Sequence, residues 1–345
     1  VPDLPPAVRQ RALAAGAEDW LNDLSALVAD LEQAWSISVG RPFEDSTEAF
    51  VAEVTQRDGT PAVLKLRIPT TSTTATPTTA SSTTASSTTA SPTTASSTTA
   101  SSTIAEHEIA TLLLTDGEGC VRLLREDADR GALLLERLGR PLHQLGLPIQ
   151  RRHDILCATA AAVWRLAAGC GLPTGWDQAR GLINFITTTW EALDRPCTER
   201  AVDHALASAA RRIDAHNDER AVLIHGDVHQ WNALEASGSS GSSGSGSSSS
   251  SGNLFKLINP VGLLAEPEYD LGIIMREDPM DLLEGDPPER AQQRARWLAR
   301  QSGLDATAIW EWGVVERVAT GLLATQIGLQ PVGAEMLAVA DRLAG

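Results

Sequence analysis

Apolar residues at Trp20, Leu21, Leu24, Leu27, Val28 and Leu31 recur at three- and four-residue intervals, which predicts an amphipathic helix over 18–34. Short strand-type runs follow near 35–40, 49–55 and 61–67, the last two joined by Gln56-Arg57-Asp58-Gly59-Thr60, whose Asp-Gly pair signals a hairpin turn. Residues 104–115 return to helical spacing, and 121–125 and 131–136 read as two more strands across the charged turn Glu126 to Arg130. From about 141 helical patterns dominate, over 149–168, 180–194, 197–216, 287–302, 305–327 and 331–343, with only two short strands between them, near 221–224 and 254–258. The reading is α+β: an N-terminal helical segment (1–34), a small lobe with an antiparallel sheet (35–138) and a larger, mainly helical lobe (139–345).

Two stretches break the pattern. Residues 70–103 contain only Ser, Thr, Ala and Pro, and 237–251 only Ser and Gly. Neither can bury enough apolar surface to offset its ordering entropy, so both are expected to be flexible connections, at about 0.6 kcal/mol per doubling of loop length.

With 345 residues and 42% hydrophobic content, the chain is long enough for two lobes with their own cores. No apolar run approaches the roughly 18 to 20 residues of a membrane span, and Val1-Pro2-Asp3-Leu4-Pro5 lacks a basic leader, so no membrane association and a cytoplasmic location are expected. A net charge of −16 argues against a nucleic-acid partner, which needs a basic stripe, and favours a cationic one. The four cysteines, Cys120, Cys157, Cys170 and Cys197, form no CxxC pair and are expected to be buried thiols. No heptad or apolar interface stripe stands out, so a monomer is expected. Only Lys65 and Lys256 are lysines, which draws attention to Lys65 inside a strand.

The chemistry concentrates in Ile224-His225-Gly226-Asp227-Val228-His229-Gln230-Trp231-Asn232. A carboxylate and a carboxamide five residues apart, between two apolar runs, suit one loop that carries both a base and a metal ligand, the kinase arrangement, with Asp227 and Asn232 in those roles. Ala62-Val63-Leu64-Lys65-Leu66 has the form of a strand lysine that reaches nucleotide phosphates, oriented by a glutamate on the following helix, Glu108 or its competitor Glu106. Leu133 to Gly139 ends a strand where the lobes meet, so the backbone near Glu136 and Leu138 is the expected adenine contact. The second metal ligand belongs at the end of Leu254-Phe255-Lys256-Leu257-Ile258, and there the chain has Asn259. A hard cation prefers charged oxygens; a loss of about 3 to 4 kcal/mol slows the chemical step by roughly 10²- to 10³-fold. His225, Asp227 and His229 also admit a metal-hydrolase reading, although no further ligand cluster lies near them in sequence.

The loop at 225–232, the run Ile258-Asn259-Pro260-Val261-Gly262-Leu263 and Glu266-Pro267-Glu268-Tyr269-Asp270-Leu271-Gly272, in that order, resemble the aminoglycoside phosphotransferases, in the branch that contains streptomycin 6-phosphotransferases and hydroxyurea phosphotransferases. The resemblance covers most of 35–340. It implies a bilobal protein-kinase-like fold, ATP and Mg²⁺ as cofactors, and phosphorylation of a hydroxyl on a small cationic antibiotic, or of hydroxyurea. By motif match Asp227 is the base, Asn232 a metal ligand, Asn259 the occupant of a place where the family has Asp, Asp270 the buried support of the loop, and His225 a structural histidine. Glu266 and Glu268 are expected to hold guanidino or amino groups of the substrate. The departures are Asn259 and the acidic Glu44 and Asp45 in the segment 40–47, which should cover phosphates. A nucleotide- or ligand-binding protein disabled at Asn259 is the alternative.

Overall fold

The computed structural model describes residues 4–69, 100–167, 169–236 and 254–345, with backbone alone for 100–105. The two low-complexity connections therefore lie outside the described residues, except for 100–103, which are helical. The chain begins with helices α1 (Pro6–Ala14) and α2 (Glu18–Trp35) and strands β1 (Ile37–Pro42), β2 (Ala49–Gln56) and β3 (Pro61–Arg67). Helix α3 (Ala100–Thr115) and strands β4 (Leu123–Asp127) and β5 (Ala132–Glu136) complete the small lobe's sheet, an antiparallel array in the order β1-β2-β3-β5-β4.

Alternation along β3 decides what this sheet presents to each side. Ala62, Leu64 and Leu66 enter a core that also holds Val8, Leu24 and Leu31 of α1 and α2, so the N-terminal helices share the sheet's core. Lys65 and Arg67 fall on the opposite face, where the sheet meets α3. In β5, Leu134 faces the first core while Leu133 and Leu135 face a second, built with Leu112, Leu138, Val228 and Leu257. A strand buried on both faces reads as a continuous apolar run, as Leu133-Leu134-Leu135 does. The Asp58-Gly59 turn forms as expected: Gln56 and Thr60 pair, Asp58 Oδ1 accepts the Thr60 amide at 2.9 Å, and Gly59 takes φ +84°.

The larger lobe contains α4 (Ile149–Ala161), α5 (Gly175–Ala192), α6 (Glu199–Asp214), β6 (Val222–Ile224), β7 (Ala233–Glu235), β8 (Phe255–Leu257) and β9 (Leu263–Ala265). It continues through α7 (Glu268–Arg276), α8 (Pro279–Leu283), α9 (Pro287–Ser302), α10 (Ala306–Gln326) and α11 (Val332–Ala344). Helix α10 is buried on nearly every side and forms the lobe's axis. Helix α7 crosses it closely: a Cβ on Gly272 would stand 2.5 Å from that of Trp312.

The site lies between two small two-stranded antiparallel sheets, β6 with β9 and β7 with β8. Strands β7 and β9 and helices α7 and α8 were not expected from the sequence, because each is too short to show a period, whereas α1 falls within the helical segment expected over 1–34. Helix α4 stops at Ala161 rather than continuing to 168, and the cause is tertiary. The Arg165 guanidinium turns back to donate to the carbonyls of Ala162 at 2.7 Å and of Leu114 and Thr115 at 3.3 and 3.4 Å, capping α4 and α3 together. Helix α5 begins at Gly175, earlier than its apolar period, because Thr174 and Asp177 form a reciprocal capping box. Three cysteines are buried, and Cys170 is half-buried.

Candidate active site

The turn after β6 is held from below. Asp270 in α7 is fully buried and accepts the backbone N–H groups of His225 and Gly226, at 3.1 and 2.8 Å, and the indole N–H of Trp164 at 2.9 Å. Burial pushes its carboxyl up to about 6 in spite of those donors. Glycine is required at 226, where φ is +81° and a Cβ would press on Val261. His225 Nδ1 accepts the Asp227 amide at 3.1 Å, which leaves Nε2–H to donate to the Ile258 carbonyl at 3.1 Å. Both ring nitrogens are thus committed within the protein, and burial lowers the imidazole to about 4.

Three groups converge on Asp227, which is itself buried. His229 Nδ1 accepts the Trp231 amide at 3.2 Å, so its Nε2–H faces Asp227 Oδ2 at 3.1 Å. Asn232 Nδ2 donates to the same oxygen at 2.9 Å, and the Arg276 guanidinium lies 3.6 Å from Oδ1. Burial alone would raise this carboxyl, but His229 and Arg276 hold it below the ordinary carboxylate range. Asp227 is therefore an anion at neutral pH, able to accept a hydroxyl proton.

The lysine arm reaches the same cluster. Lys65 Nζ donates to both oxygens of Glu108, at 2.8 and 3.0 Å, and to Asn259 Oδ1 at 2.9 Å. Glu106 is exposed, so the choice between the two glutamates falls to Glu108. Arg67, two residues along β3 on the same face, pairs with Glu108 as well. Burial opposes the Glu108 charge, and the two cations outweigh it and lower its carboxyl. Asn259 Nδ2 donates to Asn232 Oδ1 at 3.3 Å, which closes a path Lys65–Asn259–Asn232–Asp227. Asn259 has φ +58°, a left-handed conformation that asparagine tolerates.

The structure brings Asn232 and Asn259 together as a hydrogen-bonded pair, and this donor set does not fit a resident Mg²⁺. Both are neutral amides, one oxygen is turned to an ammonium, and an N–H stands between them. Nor do the described residues include a group of three or more His, Cys, Asp or Glu that could hold a metal ion.

The remaining expected residues lie apart from this cluster. The Glu136 carboxylate pairs with Lys256 and accepts the Arg122 amide at 2.7 Å; Leu138 is buried at the lobe junction. Glu266 is engaged by Arg212 at 3.4 Å and by the Trp312 indole at 2.6 Å, and Glu268 is buried and accepts the Asp305 amide at 3.2 Å at the start of α10. Both glutamates are thus tied to internal partners. Glu44 and Asp45 are exposed.

Sequence reasoning missed Arg67, Arg276 and Trp164, and weighed His229 only as a metal ligand. The spacing of two from Lys65 was a readable signal for Arg67. Arg276 carried a weaker one, an arginine that ends the apolar run Leu271 to Met275.

Residues 67–328 match the model of the aminoglycoside/hydroxyurea antibiotic resistance kinase family. A hydroxyurea phosphotransferase of Kitasatospora aureofaciens is 28% identical over 232 residues, which span 66% of this chain and 57% of that protein, so somewhat more than half of its length is matched. A streptomycin 6-kinase of Streptomyces glaucescens is 24% identical over 79% of this chain and 73% of its own. Among solved structures, the choline kinase LicA from Streptococcus pneumoniae superposes with a TM-score of 0.54 at 10% identity, covering 94% of this chain and 99% of that one. A macrolide 2'-phosphotransferase type I gives a TM-score of 0.50 at 14% identity over 92% and 96%. Those two likenesses speak for a bilobal kinase-like fold. The family match over most of the chain, on this fold and with Asp227, Lys65 and Glu108 joined in one hydrogen-bonded network, makes the chain a member of the aminoglycoside/hydroxyurea antibiotic resistance kinase family.

Proposed function

We propose that the protein is an ATP-dependent phosphotransferase that modifies a hydroxyl of a small cationic antibiotic such as streptomycin, or hydroxyurea. One observation carries the reading: the lysine that would hold phosphates and the aspartate that would receive a proton are joined by the continuous path Lys65–Asn259–Asn232–Asp227. In this reaction Asp227 orients the acceptor hydroxyl and takes its proton as the oxygen forms a bond to the γ-phosphorus, and ADP leaves with the electrons of the broken bond. Lys65, steadied by Glu108, holds the phosphates, and the backbone from Glu136 to Leu138 borders the adenine. The resistance role, a monomeric state and a cytoplasmic setting belong to the same proposal. No helix among the described residues is long and apolar enough to cross a membrane.

The second reading, a nucleotide-binding protein that transfers slowly or not at all, is favoured by the Asn259 amide. Transfer of label from γ-labelled ATP to streptomycin and to hydroxyurea, read by mass spectrometry on the chain and on Asn259→Asp, separates the two. Labelled product from either variant supports the phosphotransferase. Unchanged acceptors in both, across a panel of aminoglycosides, would refute it.

A further inference from the structure

We infer that this site holds the phosphates of a nucleotide without a divalent cation, through two side-chain cations, and that Asn259 is the residue that makes it so. The inference rests on the nucleotide reading given above.

The hydrogen bonds fix the orientation of the Asn259 amide. Its oxygen faces the Lys65 ammonium at 2.9 Å and its nitrogen faces Asn232 Oδ1 at 3.3 Å. Turning the amide over would set its N–H₂ against the ammonium and oxygen against oxygen, losing both bonds. The Asn232 amide nitrogen faces two acceptors, the Asp227 carbonyl at 3.1 Å and Oδ2 at 2.9 Å, against the single ring nitrogen of His229 at 2.9 Å, and this balance keeps its oxygen toward Asn259. The gap between the two asparagines is therefore filled by an N–H whose partial positive charge repels a cation. Mg²⁺ gives up water reluctantly and requires near-ideal octahedral oxygen ligands, which this pair supplies only after the network is broken.

The charge balance points the same way from a separate observation. Arg67 lies beside Lys65 on one strand face, and both pair with the single carboxylate of Glu108. With a neutral residue at 259, two cations face one anion, and one positive charge is left for a ligand. An aspartate at 259 would cancel that charge and leave phosphates to be neutralised by a metal. Here Lys65 and the planar fork of Arg67, only 13% and 17% exposed, offer hydrogen-bond donors that suit phosphate oxygens directly.

The test is calorimetric titration of ADP into the full chain, in excess MgCl₂ and in EDTA, beside Asn259→Asp, which is nearly isosteric. The expected result is an affinity for the chain that changes less than about threefold between buffers, and one for Asn259→Asp that rises about tenfold or more with Mg²⁺. Tightening of the chain itself by about tenfold in Mg²⁺ would overturn the inference and leave the nucleotide site standing. Binding by Asn259→Asp alone would do the same. Metal indifference in both variants would remove Asn259 from the explanation and refute the assignment. ADP bound by neither variant in either buffer would overturn the nucleotide reading, and the inference with it.

Discussion

Arg276 bridges Asp227 and Glu316: one guanidinium nitrogen lies 3.6 Å from Asp227 Oδ1 and another donates to Glu316 Oε2 at 2.7 Å. Glu316 in turn accepts the Tyr269 hydroxyl, and Arg276 also donates to Thr320 at 2.7 Å, so α7 and α10 are joined through the residue that faces the proposed base. The side chain is fully buried, and its charge is spent entirely inside the protein.

Arg276→Met removes one partner of a buried pair and leaves Glu316 uncompensated. Unfolding free energy should fall by about 3 to 5 kcal/mol in denaturant titrations. Adding Glu316→Gln should recover part of that loss, because the stranded charge disappears. If the double variant is no more stable than the single one, the pair is not what the arginine contributes.

Asp227→Asn replaces an anion with an amide of the same shape. Phosphoryl transfer should drop by about 10²- to 10⁴-fold. Affinity for ADP, measured by calorimetry, should stay within about twofold, because the role proposed for Asp227 is on the acceptor hydroxyl and not on the nucleotide. A parallel loss of nucleotide affinity would mean that the residue shapes the phosphate site instead.

The acid side of the stability profile contains two opposed contributions. His225 is lowered from 6.5 to about 4, so its contribution is present above 6.5 and is lost as pH falls toward 4. Asp270 is raised from 3.8 to about 6, so its contribution is present below 3.8 and is lost as pH rises through 6. On acidification through this window one group costs stability while the other restores it. Asp270→Asn keeps the first and deletes the second, so its unfolding midpoint should fall more steeply between pH 6.5 and 4 than that of the unaltered chain. Parallel profiles would show that Asp270 is ordinary in its titration.

Gly262 takes φ +73°, and a Cβ there would stand 2.1 Å from Thr111 Oγ1 and 3.0 Å from the His107 carbonyl. Gly262→Ala should push α3, which carries Glu108, away from the loop that carries Asn259, and destabilise the protein by a few kcal/mol. Thr111→Ala in the same chain should relieve the side-chain clash but not the backbone strain, giving partial recovery of the melting temperature. Full recovery would mean that the φ angle costs nothing at this position.

The sheet was legible because β2 and β3 alternate between one apolar and one mixed face while β5 is a continuous apolar run, and Lys65 stands out in β3 for that reason. The loop at 224–232 was legible because its residues lie within nine consecutive positions. What stayed hidden depends on contacts between distant segments. Trp164 donates to Asp270 from a turn that interrupts a helical pattern, and Arg276 meets Asp227 only after α7 has packed on α10. Glu266 and Glu268 looked available because the residues nearest them in sequence, Ala265 to Tyr269, include no cation to pair with them. Arg212, Trp312 and Asp305 supply those partners from α6 and the start of α10.

The Lys256–Glu136 pair has a practical corollary. The chain has two lysines, and both stand in ion pairs, with Glu108 and Glu136, with side chains 13% and 18% exposed. Amine-directed chemistry, from acetylation to succinimidyl labelling, therefore has its only side-chain targets where the two lobes meet. In a protein with 26 arginines and a net charge of −16, an acylated ε-amine becomes a reporter of reagent access to these two ion pairs.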